Sequence, residues 1–579
     1  MTASFLFAII TIPLVVVVSI LRPEFGDGLL RGAWRTIGAL ARRRRLTVAS
    51  VALLSLLLHI VIGYFVQWPV PVVHDEFAYL LGADTFAAGR LTNPTHPMWE
   101  HFESYHIIHH PTYQSKYPPG QSLFLALGQA AFGHPIWGVW LSLALACGAV
   151  TWMLQAWVPP RWALVGGLVT VFNPFLAVDW GQGYWGGGVA MLGGACLFGA
   201  LTRVVRDIRL SDGLVFGIGL VVLALSRPFE GLLASIPVAL IVLAWMVGRF
   251  RSRAVRPVLR FVLPASAVLL VSACCLGLYH KRVTGSPFRM PYQTWSSQHA
   301  GGSALFPAAV SLASLPSQGT GQRLFVPEEA MQHNLNVIET RRQWVRNVGR
   351  KFVILWVFHL GVLAPLVLFA VPRIKHVGWE LFATASVVFV TAAVAFESTI
   401  GNPHYAAPVT ALFAYLLISG MRVGSACVRR WRVSHRIFVA VASIWMIAGA
   451  IGIVLLPTER MNSDLGRAAS ERARILAELR ASAVDDLVIV RYGDRHVYLE
   501  EWVYNEADID HAKVVWARDL GPEKNAALIS VFSERTVWLL EPDTDGGPRL
   551  SPYPMEGSVS ETADPENCKS EDPTAPDRR

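Results

Sequence analysis

Two adjacent acidic residues, Asp75 and Glu76, are the first candidates for chemistry in this chain. They stand directly after an apolar segment, in the sequence VVHDEFAYLLGADTFAAGRL, which predicts the start of a helix. Successive side chains on a helix point about 100° apart, so the two carboxylates cannot share one task. One can act as a general base for a hydroxyl while the other holds a neighbouring group or a metal. The alternative is that both only cap the helix and favour its dipole.

A lysine stands near the end of the same loop, in YQSKYPPGQSLFLALG. Lys116 precedes a Pro-Pro-Gly turn and a further apolar segment. An ammonium group at the depth of the lipid head groups is a natural partner for phosphate. The alternative is a lysine that simply extends to the membrane surface from a helix end. Tyr117 beside it, and His74 and Tyr79 around the acidic pair, are further candidates for binding a substrate.

Three other short motifs offer candidate substrate-binding residues. They are Tyr184 and Trp185 in DWGQGYWGGG, Arg227 in SRPFEG, and His404 and Tyr405 in GNPHYAAP. Aromatic rings at such positions can stack on a sugar, or they can belong to the aromatic belt at the membrane surface. A lone arginine between two apolar segments is a candidate functional residue, although it can equally form a structural pair with a nearby glutamate.

Three histidines of the same loop have the spacing of one helical face. His106, His109 and His110 are related as i, i+3 and i+4, so a helix would bring them together. With a nearby carboxylate they form a candidate site for a divalent metal. The sequence contains no H-E-x-x-H motif of the zinc proteases. The other interpretation is that these are ordinary solvated or hydrogen-bonded histidines.

The elements that must position these residues are apolar segments of membrane-spanning length. Of the 579 residues, 53% are hydrophobic and 16% are charged, whereas soluble proteins carry about 25% charged residues. Runs of roughly 20 apolar residues cross the hydrocarbon core and predict a mainly α-helical, polytopic membrane protein with about twelve transmembrane helices. The predicted spans are 4–22, 48–66, 136–157, 162–178, 185–203, 213–226, 229–247, 260–279, 352–371, 379–397, 405–420 and 437–456. Residues 121–133 are apolar but short, which favours an interfacial or re-entrant helix.

Arginines in alternating short loops indicate the orientation of these spans. Loop 23–47 and every second loop after it contain at least one arginine, and most contain several, whereas loops 179–184 and 398–404 contain no Lys or Arg. By the positive-inside rule the arginine-rich side is cytoplasmic, so the candidate residues face the periplasm or the cell exterior from the inner (plasma) membrane. The net charge of +9 resides in these loops and does not indicate nucleic acid as a partner. No pair of the six cysteines has CxxC spacing, so neither a zinc knuckle nor a disulfide framework is predicted.

Four regions follow from this pattern. They are an N-terminal transmembrane helix with an arginine-rich loop (1–47), a transmembrane catalytic domain (48–456), a small external α/β domain (457–542) and a disordered tail rich in Pro, Asp, Glu, Ser and Gly (543–579). The transmembrane domain carries two long outer loops, loop 1 (residues 67–118) and loop 2 (residues 280–351). The α/β region, called the C-terminal domain below, shows alternating helix and strand patterns. Its predicted elements are helices near 469–482 and 522–532 and strands at 486–492, 513–519 and 536–542.

The order of motifs in loop 1 resembles the GT-C glycosyltransferases. A D-E pair after a span, an interfacial helix and K-Y-P-P-G before the next span are most similar to the protein mannosyltransferase and aminoarabinose transferase branch (family 39-like). The topological resemblance covers about residues 48–456, and its specific motifs occupy only about 70–120. It implies that Asp75 is the catalytic aspartate, Glu76 its companion, and Lys116 a contact for the phosphate of a polyprenyl-phosphate sugar donor. The extra N-terminal span and the C-terminal domain depart from the family, which leaves the acceptor open.

Together these features predict a membrane glycosyltransferase. It would transfer a sugar, with inversion, from a polyprenyl-phosphate-linked donor to an acceptor hydroxyl on a glycan, lipid or protein, with Asp75 as general base. No Walker A or Rossmann glycine motif is present, and a lipid-phosphate donor requires none. The alternative is a lipid or glycan transporter, which would be expected to carry ionisable residues within its spans. A third interpretation is an assembly subunit that acts through the C-terminal domain.

Overall fold

The transmembrane region is built from long apolar helices. The structure, a computed structural model, describes residues 3–22, 27–299, 341–371, 378–397, 402–428, 437–493, 496–497 and 499–554. Within these residues the predicted fold class is confirmed: a mainly α-helical, polytopic membrane protein with a small α/β domain near its C-terminus. Nine helices of the described part are long and apolar enough to cross a membrane. They are α3 (Arg44–Phe65), α6 (Ile136–Trp157), α8 (Gly187–Arg206), α10 (Pro228–Arg251), α11 (Val255–Thr284), α13 (Arg341–Leu360, continued by a 3₁₀ segment Gly361–Ala370), α14 (Trp379–Glu397), α15 (Thr410–Val428, preceded by a 3₁₀ segment Pro403–Val409) and α16 (Ile437–Met461).

Shorter helices account for the rest of the predicted spans. Two of them, α1 (Ala3–Leu21) and α9 (Leu210–Ser226), are apolar. The amphipathic helix α2 (Asp27–Ala41) lies between the first two spans. The predicted span at 162–178 is wrong as a continuous helix, because α7 (Pro160–Val171) ends early and a π-helical turn follows at Leu176–Trp180.

A local sequence signal causes this break. Pro174 has no N–H to continue the helix. Asn173 accepts hydrogen bonds from the backbone N–H groups of Phe175 and Leu176 at 3.0 and 3.3 Å, and its amide donates to the carbonyls of Phe358 and His359. The asparagine therefore replaces the helical hydrogen bonds and ties the break to the end of α13.

Loop 1 is an ordered structure in its own right. It begins with α4 (His74–Ala87), continues through the short strand β1 (Asn93–Pro94) and a 3₁₀ turn (Trp99–Phe102), and ends with β2 (Ile107–Ile108) and β3 (Thr112–Ser115). The central strand β3 pairs antiparallel with both β1 and β2. Loop 2 contributes the short helix α12 (Pro291–His299), and residues 300–340 lie outside the described part.

The segment predicted as a short interfacial or re-entrant helix is α5 (Gly120–Phe132). The glycine of the Pro-Pro-Gly turn, Gly120, allows α5 to approach the end of α9 closely. A Cβ at Gly120 would lie 2.6 Å from the carbonyl oxygen of Leu225, a distance that backbone atoms cannot tolerate. Gly120, four residues after Lys116, therefore contacts Leu225, two residues before Arg227.

The C-terminal domain contains the predicted helices and strands. They are α17 (Asp464–Ala481), β4 (Asp486–Val490), β5 (Val514–Arg518), α18 (Pro522–Val531) and β6 (Thr536–Glu541). The strand order is β5-β4-β6-β7, with β4 parallel to β5 and β6. The fourth strand, β7 (Arg549–Pro552), pairs antiparallel with β6 and lies in the segment predicted as disordered. Its short, polar, edge position explains why composition alone did not reveal it; residues 555–579 lie outside the described part.

The sheet of this domain is buried on both faces. Val488, Val490 and Trp516 pack against α17. On the opposite face Leu487, Ile489 and Val515 share a hydrophobic core with loop 1, namely with Ala78, Leu81, Phe102, Ile107 and Tyr113. Full burial of parallel strands is typical of such sheets. Here loop 1 provides part of the cover, together with Leu528 and Phe532 at α18.

Candidate active site

Asp75 lies in the first turn of α4, with its side chain partly exposed. Val73 caps the helix in an extended conformation, so the chain turns into α4 directly before the acidic pair. The hydroxyl of Tyr117 donates a hydrogen bond to Oδ1 of Asp75. The ring atom Nε2 of His106 is 3.9 Å from Oδ2, and the Asp75 side chain keeps 29% of its surface exposed. One oxygen of the carboxylate is therefore fixed by a hydrogen bond, while the side chain as a whole stays partly exposed.

Tyr117 is held in the state that donates this hydrogen bond. Burial raises the pKa of its hydroxyl well above the usual range, and the negative charge of Asp75 raises it further. Its ring stacks on Tyr79, with 4.7 Å between the ring centroids. Burial likewise raises the pKa of Tyr79 to about 12, against the opposing charge of Arg227. Both tyrosines are neutral at physiological pH and form a rigid wall beside Asp75.

Glu76 points the other way and is fully buried. Its Oε2 accepts hydrogen bonds from the backbone N–H groups of Val72 and Val73 at 2.7 and 3.2 Å. Its Oε1 accepts the N–H of Tyr184 at 2.8 Å and lies 3.7 Å from Nη2 of Arg460. The pair thus divides its tasks as the helical geometry predicts. Asp75 keeps part of its surface exposed, and Glu76 holds neighbouring chain segments together.

Arg460 is a site residue that the sequence did not indicate. It lies at the end of α16, and Nη1 donates to the carbonyl of Gln182 at 3.2 Å. Gly183 leaves room for the ion pair, because a Cβ there would lie 2.8 Å from Oε1 of Glu76 and 3.1 Å from Nη1 of Arg460. An arginine at the end of a span is an ordinary anchor in sequence terms, so only the tertiary structure reveals its partner.

Lys116 occupies a box of aromatic rings. Its side chain is buried, with 4% of its surface exposed. The ammonium nitrogen lies 3.5 Å from the ring centroid of Trp295, 5.1 Å from that of Tyr292, 5.2 Å from that of Tyr117 and 5.7 Å from that of Tyr105. Such cation–π contacts favour the charged form of a lysine. Trp295 and Tyr292 belong to α12 of loop 2, and sequence reasoning missed both.

The charge of Lys116 is only partly compensated. Burial lowers the pKa of its ammonium group to about 7, and the negative charge of Asp75 acts in the opposite direction. Within the part of the chain that the structure describes, the ammonium has no carboxylate ion-pair partner. The backbone N–H of Lys116 donates to the carbonyl of His106 at 3.1 Å, which fixes the lysine next to the Asp75 side of loop 1. An incoming anion would find here a desolvated cation on a fixed backbone.

Arg227 lies at the junction of α9 and α10, on the side of the rings that surround Asp75. Its guanidinium lies 5.4 Å from the ring centroid of Tyr405, and one nitrogen lies 3.9 Å from Oε1 of Glu230. It is close enough to interact electrostatically with Tyr79 and Tyr117, the two rings that wall Asp75. The structure therefore brings Arg227, Tyr405, Tyr79 and Tyr117 to one site. The structural pair with Glu230 is present as well, so the two sequence interpretations of Arg227 are not exclusive.

The remaining sequence candidates lie around this site in different roles. Tyr184 is buried in the core between α4, α5 and α6, and its hydroxyl donates to the carbonyl of Pro69 at 3.2 Å. Such a ring has no free face for a sugar, so the expectation of sugar stacking fails for Tyr184. Trp185 is half-buried, with its ring centroid 4.7 Å from that of the buried His404. His74 is buried and hydrogen-bonded through Nδ1 to the hydroxyl of Tyr504 in the C-terminal domain.

The three loop histidines do not lie on a helix, so the predicted helical face is wrong. His106 has a positive φ of 68°, and the β2–β3 hairpin follows it. His109 accepts the N–H of Ser104 at 3.2 Å, and the ring centroid of His110 lies 5.5 Å from that of Trp99. His106 precedes β2, and His109 and His110 lie in the turn between β2 and β3, so the three side chains point to different neighbours. Among the described residues no group of three or more His, Cys, Asp or Glu side chains is placed to hold a metal ion.

Comparisons with known proteins give matches at the level of structure alone. No family model matches the chain, and no curated protein matches it. The chain is similar to ArnT, an aminoarabinose transferase from Cupriavidus metallidurans, bound to undecaprenyl phosphate (12% identity, 86% of this chain and 92% of that chain, TM-score 0.48). It is also similar to the Archaeoglobus fulgidus oligosaccharyltransferase in complex with Zn and sulfate (12% identity, 85% of this chain and 67% of that chain, TM-score 0.45). A third match is AglB from the same organism, in complex with an inhibitory peptide and a dolichol-phosphate (12% identity, 85% of this chain and 69% of that chain, TM-score 0.43).

These proteins are GT-C glycosyltransferases, the class that the motifs of loop 1 resemble. With TM-scores of 0.48 and lower, the likeness alone establishes neither a common fold nor a common activity.

Proposed function

We propose that this chain is a membrane glycosyltransferase that uses a polyprenyl-phosphate-linked sugar as donor. The observation that carries the proposal is the convergence of an accessible carboxylate, Asp75, with two buried cations, Lys116 and Arg227, around one wall of tyrosines. A carboxylate that can take a proton and cations that can hold a leaving phosphate are the two groups that such a transfer requires.

The proposed reaction is a single displacement. Oδ2 of Asp75 removes the proton from the acceptor hydroxyl, and the hydroxyl oxygen forms a bond to the anomeric carbon of the sugar. The bond between that carbon and the phosphate oxygen breaks, and the electron pair stays on the phosphate. Lys116 and Arg227 stabilise the charge that develops there. Attack from the face opposite the phosphate inverts the anomeric configuration.

The aromatic box supports a phosphate role for Lys116 more than an anchoring role. A lysine that only extends to the membrane surface keeps its head in water, whereas this ammonium is buried. A buried cation without a carboxylate partner is costly until an anion arrives. Phosphate binding would therefore gain from a charge that the fold has already desolvated.

The general base is tested by Asp75→Asn. We expect loss of sugar transfer by at least about a hundredfold, the usual contribution of a general base, in purified protein with an unchanged unfolding temperature. The matched control is Glu100→Gln, an exposed acid of loop 1 that pairs with Lys524 at 2.7 Å. Near-normal transfer in Asp75→Asn would rule out this assignment.

The phosphate site is tested by direct binding. The probes are undecaprenyl phosphate and undecaprenol, which share the tail and differ in the head group. We expect wild-type protein to bind the phosphate more tightly than the alcohol, and Lys116→Met to lose most of this preference, with Arg227 retaining the rest. Equal binding of the two probes to wild-type protein would contradict the proposal.

Transfer in detergent separates this proposal from the transporter alternative. An enzyme turns over without a sealed compartment, whereas a transporter has no second side to deliver to. We also propose that loop 1 and the C-terminal domain face the periplasm from the inner membrane, in keeping with the arginine distribution. Labelling of single cysteines in loop 1 with a membrane-impermeant reagent on intact spheroplasts tests this orientation.

A further inference from the structure

One segment of the C-terminal domain contacts both α4 and β3 of loop 1, the elements next to Asp75 and Lys116. This clamp segment, residues 501–508, lies within the connection between the end of β4 and the start of β5. The N–H of Ala507 donates to Oδ2 of Asp84 in α4 at 2.7 Å, and the carbonyl of Asn505 accepts the hydroxyl of Tyr113 in β3 at 3.1 Å. The hydroxyl of Ser104 donates to the carbonyl of Val503. Since Asp75 lies in the first turn of α4 and Lys116 follows β3, the clamp segment contacts both elements that carry these two residues.

Tyr504 is the contact nearest to the acidic pair. Its hydroxyl bonds to Nδ1 of His74, the residue before Asp75. Its ring stacks on that of Phe77, with 4.0 Å between centroids and 4° between planes. Burial raises the pKa of Tyr504 well above the usual range, so the hydroxyl is neutral and keeps the proton of its hydrogen bond with His74 available. The first turn of α4 is thus held by the C-terminal domain on both its first and its fourth residue.

Buried charges hold the clamp segment itself in place. The guanidinium of Arg472 in α17 donates to the carbonyls of Trp502 and Tyr504 at 3.1 and 3.3 Å. Glu501 is paired with Arg518 at the end of β5, and both side chains are almost fully buried. Nε of Arg518 also donates to the carbonyl of Glu103 in loop 1 at 2.8 Å. Buried ion pairs with additional hydrogen bonds favour one conformation over alternatives.

We infer that the clamp segment positions the catalytic end of α4, and that Tyr504 is a positioning residue that acts on Asp75 through His74. This inference rests on the proposed function for its effect on transfer, but its structural part is independent of it. It gives the C-terminal domain a role in forming the active site, in place of a role only in docking an acceptor or a partner. A misplacement of about 1 Å at a reacting group can cost on the order of a hundredfold in rate.

The test is Tyr504→Phe, which keeps the ring on Phe77 and removes only the hydroxyl. The matched control is Tyr553→Phe, the same change in the same domain, where the hydroxyl accepts from the amide of Asn525 at 3.1 Å. Hydrogen exchange of peptides covering residues 74–87 is measured in the full-length protein, together with kcat and KM for the donor. We expect exchange in the first turn of α4 to be about tenfold faster in Tyr504→Phe, the effect of one lost hydrogen bond, and unchanged in Tyr553→Phe.

The kinetic readout distinguishes positioning from general destabilisation. We expect kcat to fall about tenfold with KM for the donor within twofold, because Lys116 and Arg227 remain in place. The effects of Tyr504→Phe and His74→Ala should not add in the double variant, since both remove the same link. Unchanged exchange in α4, or fully additive effects, would overturn the inference. If wild-type protein shows no transfer, the proposed function fails, whereas the exchange comparison still decides whether the clamp segment holds α4.

Discussion

The hydroxyl of Tyr117 donates a hydrogen bond to Oδ1 of Asp75. The two residues lie at opposite ends of loop 1, so this contact closes the loop on itself and places Lys116 beside the carboxylate. Tyr117 also lies under the Lys116 ammonium, 5.2 Å from it. A single ring therefore couples the proposed base to the proposed phosphate site.

Removing this hydroxyl tests its part in orienting the base. In Tyr117→Phe the stack on Tyr79 is kept, but Asp75 loses the donor that fixes its rotamer. We expect kcat to fall by about tenfold to a hundredfold, the usual range for a hydrogen bond to a charged group, with KM for the donor nearly unchanged. Steady-state transfer assays measure this, and Tyr64→Phe, an exposed tyrosine of α3, serves as the control. A change confined to KM would contradict an orienting role.

Lipid-phosphate binding should weaken as the pH rises above neutral. The pKa of Lys116 is lowered to about 7 in the free site, and a bound phosphate raises it because opposite charges stabilise each other. Affinity is therefore full below pH 7 and is lost as the pH rises through that pKa. We expect the Kd of undecaprenyl phosphate to increase by up to about tenfold per pH unit between pH 7 and 9. The phosphate itself is already a dianion in this range.

The control for this pH dependence is Lys116→Arg. Arginine keeps its charge throughout the range, so its binding curve should be flat between pH 7 and 9. Isothermal titration in detergent at several pH values measures both curves. A flat curve for wild-type protein would show that Lys116 does not titrate there.

Trp295 should set the pH at which this loss begins. Burial is the main cause of the lowered pKa of Lys116, and Trp295 is the nearest ring that shields it. In Trp295→Ala water reaches the ammonium, so its pKa rises toward the usual value. We expect the decline in lipid-phosphate affinity to move upward by about one pH unit or more. The same titration measures it, and an unmoved midpoint would mean that other groups provide the burial.

Glu76→Gln should destabilise the protein, because three backbone N–H groups depend on the two carboxylate oxygens. An amide presents one NH₂ where only acceptors are tolerated, and it removes the charge that faces Arg460. We expect a loss of about 1–3 kcal/mol in the free energy of unfolding, the cost of unsatisfied buried donors. Thermal unfolding in detergent measures it against Glu478→Gln, an exposed glutamate paired with Arg474, for which we expect about 0.5 kcal/mol or less. Equal unfolding temperatures of the two variants would disprove the structural role.

Sequence reasoning succeeded where the signal is local. The positions of Asp75 and Glu76 on one helix turn forced different directions on their side chains, and the structure has them so. The spans and the elements of the C-terminal domain followed from the hydrophobic pattern, whereas the pairing of Lys116 with Asp75 came from the resemblance of the loop 1 motifs to the GT-C family. The span broken at Asn173 also had a local signal, the Asn-Pro pair, which the apolar pattern outweighed.

The site residues that were missed come from distant parts of the chain. Trp295 and Tyr292 lie in loop 2, Arg460 at the end of the last span, and Tyr504 in the C-terminal domain. Each reaches the site through tertiary packing, and none has a neighbour in sequence that marks its partner. The prediction for the three histidines was wrong for a different reason. Their spacing matched a helix, but they lie before β2 and in the turn between β2 and β3, where that spacing gives no common face.

The bond between His74 and Tyr504 joins residues that are 430 positions apart. His74 is synthesised long before Tyr504, so the nascent chain inserts most of its spans before this hydrogen bond can form. Contacts of such long range form late and slowly. If Tyr504 positions Asp75 as proposed, the transfer proposed above begins only when synthesis is nearly finished, and chains that end before the C-terminal domain are expected to enter the membrane without this activity.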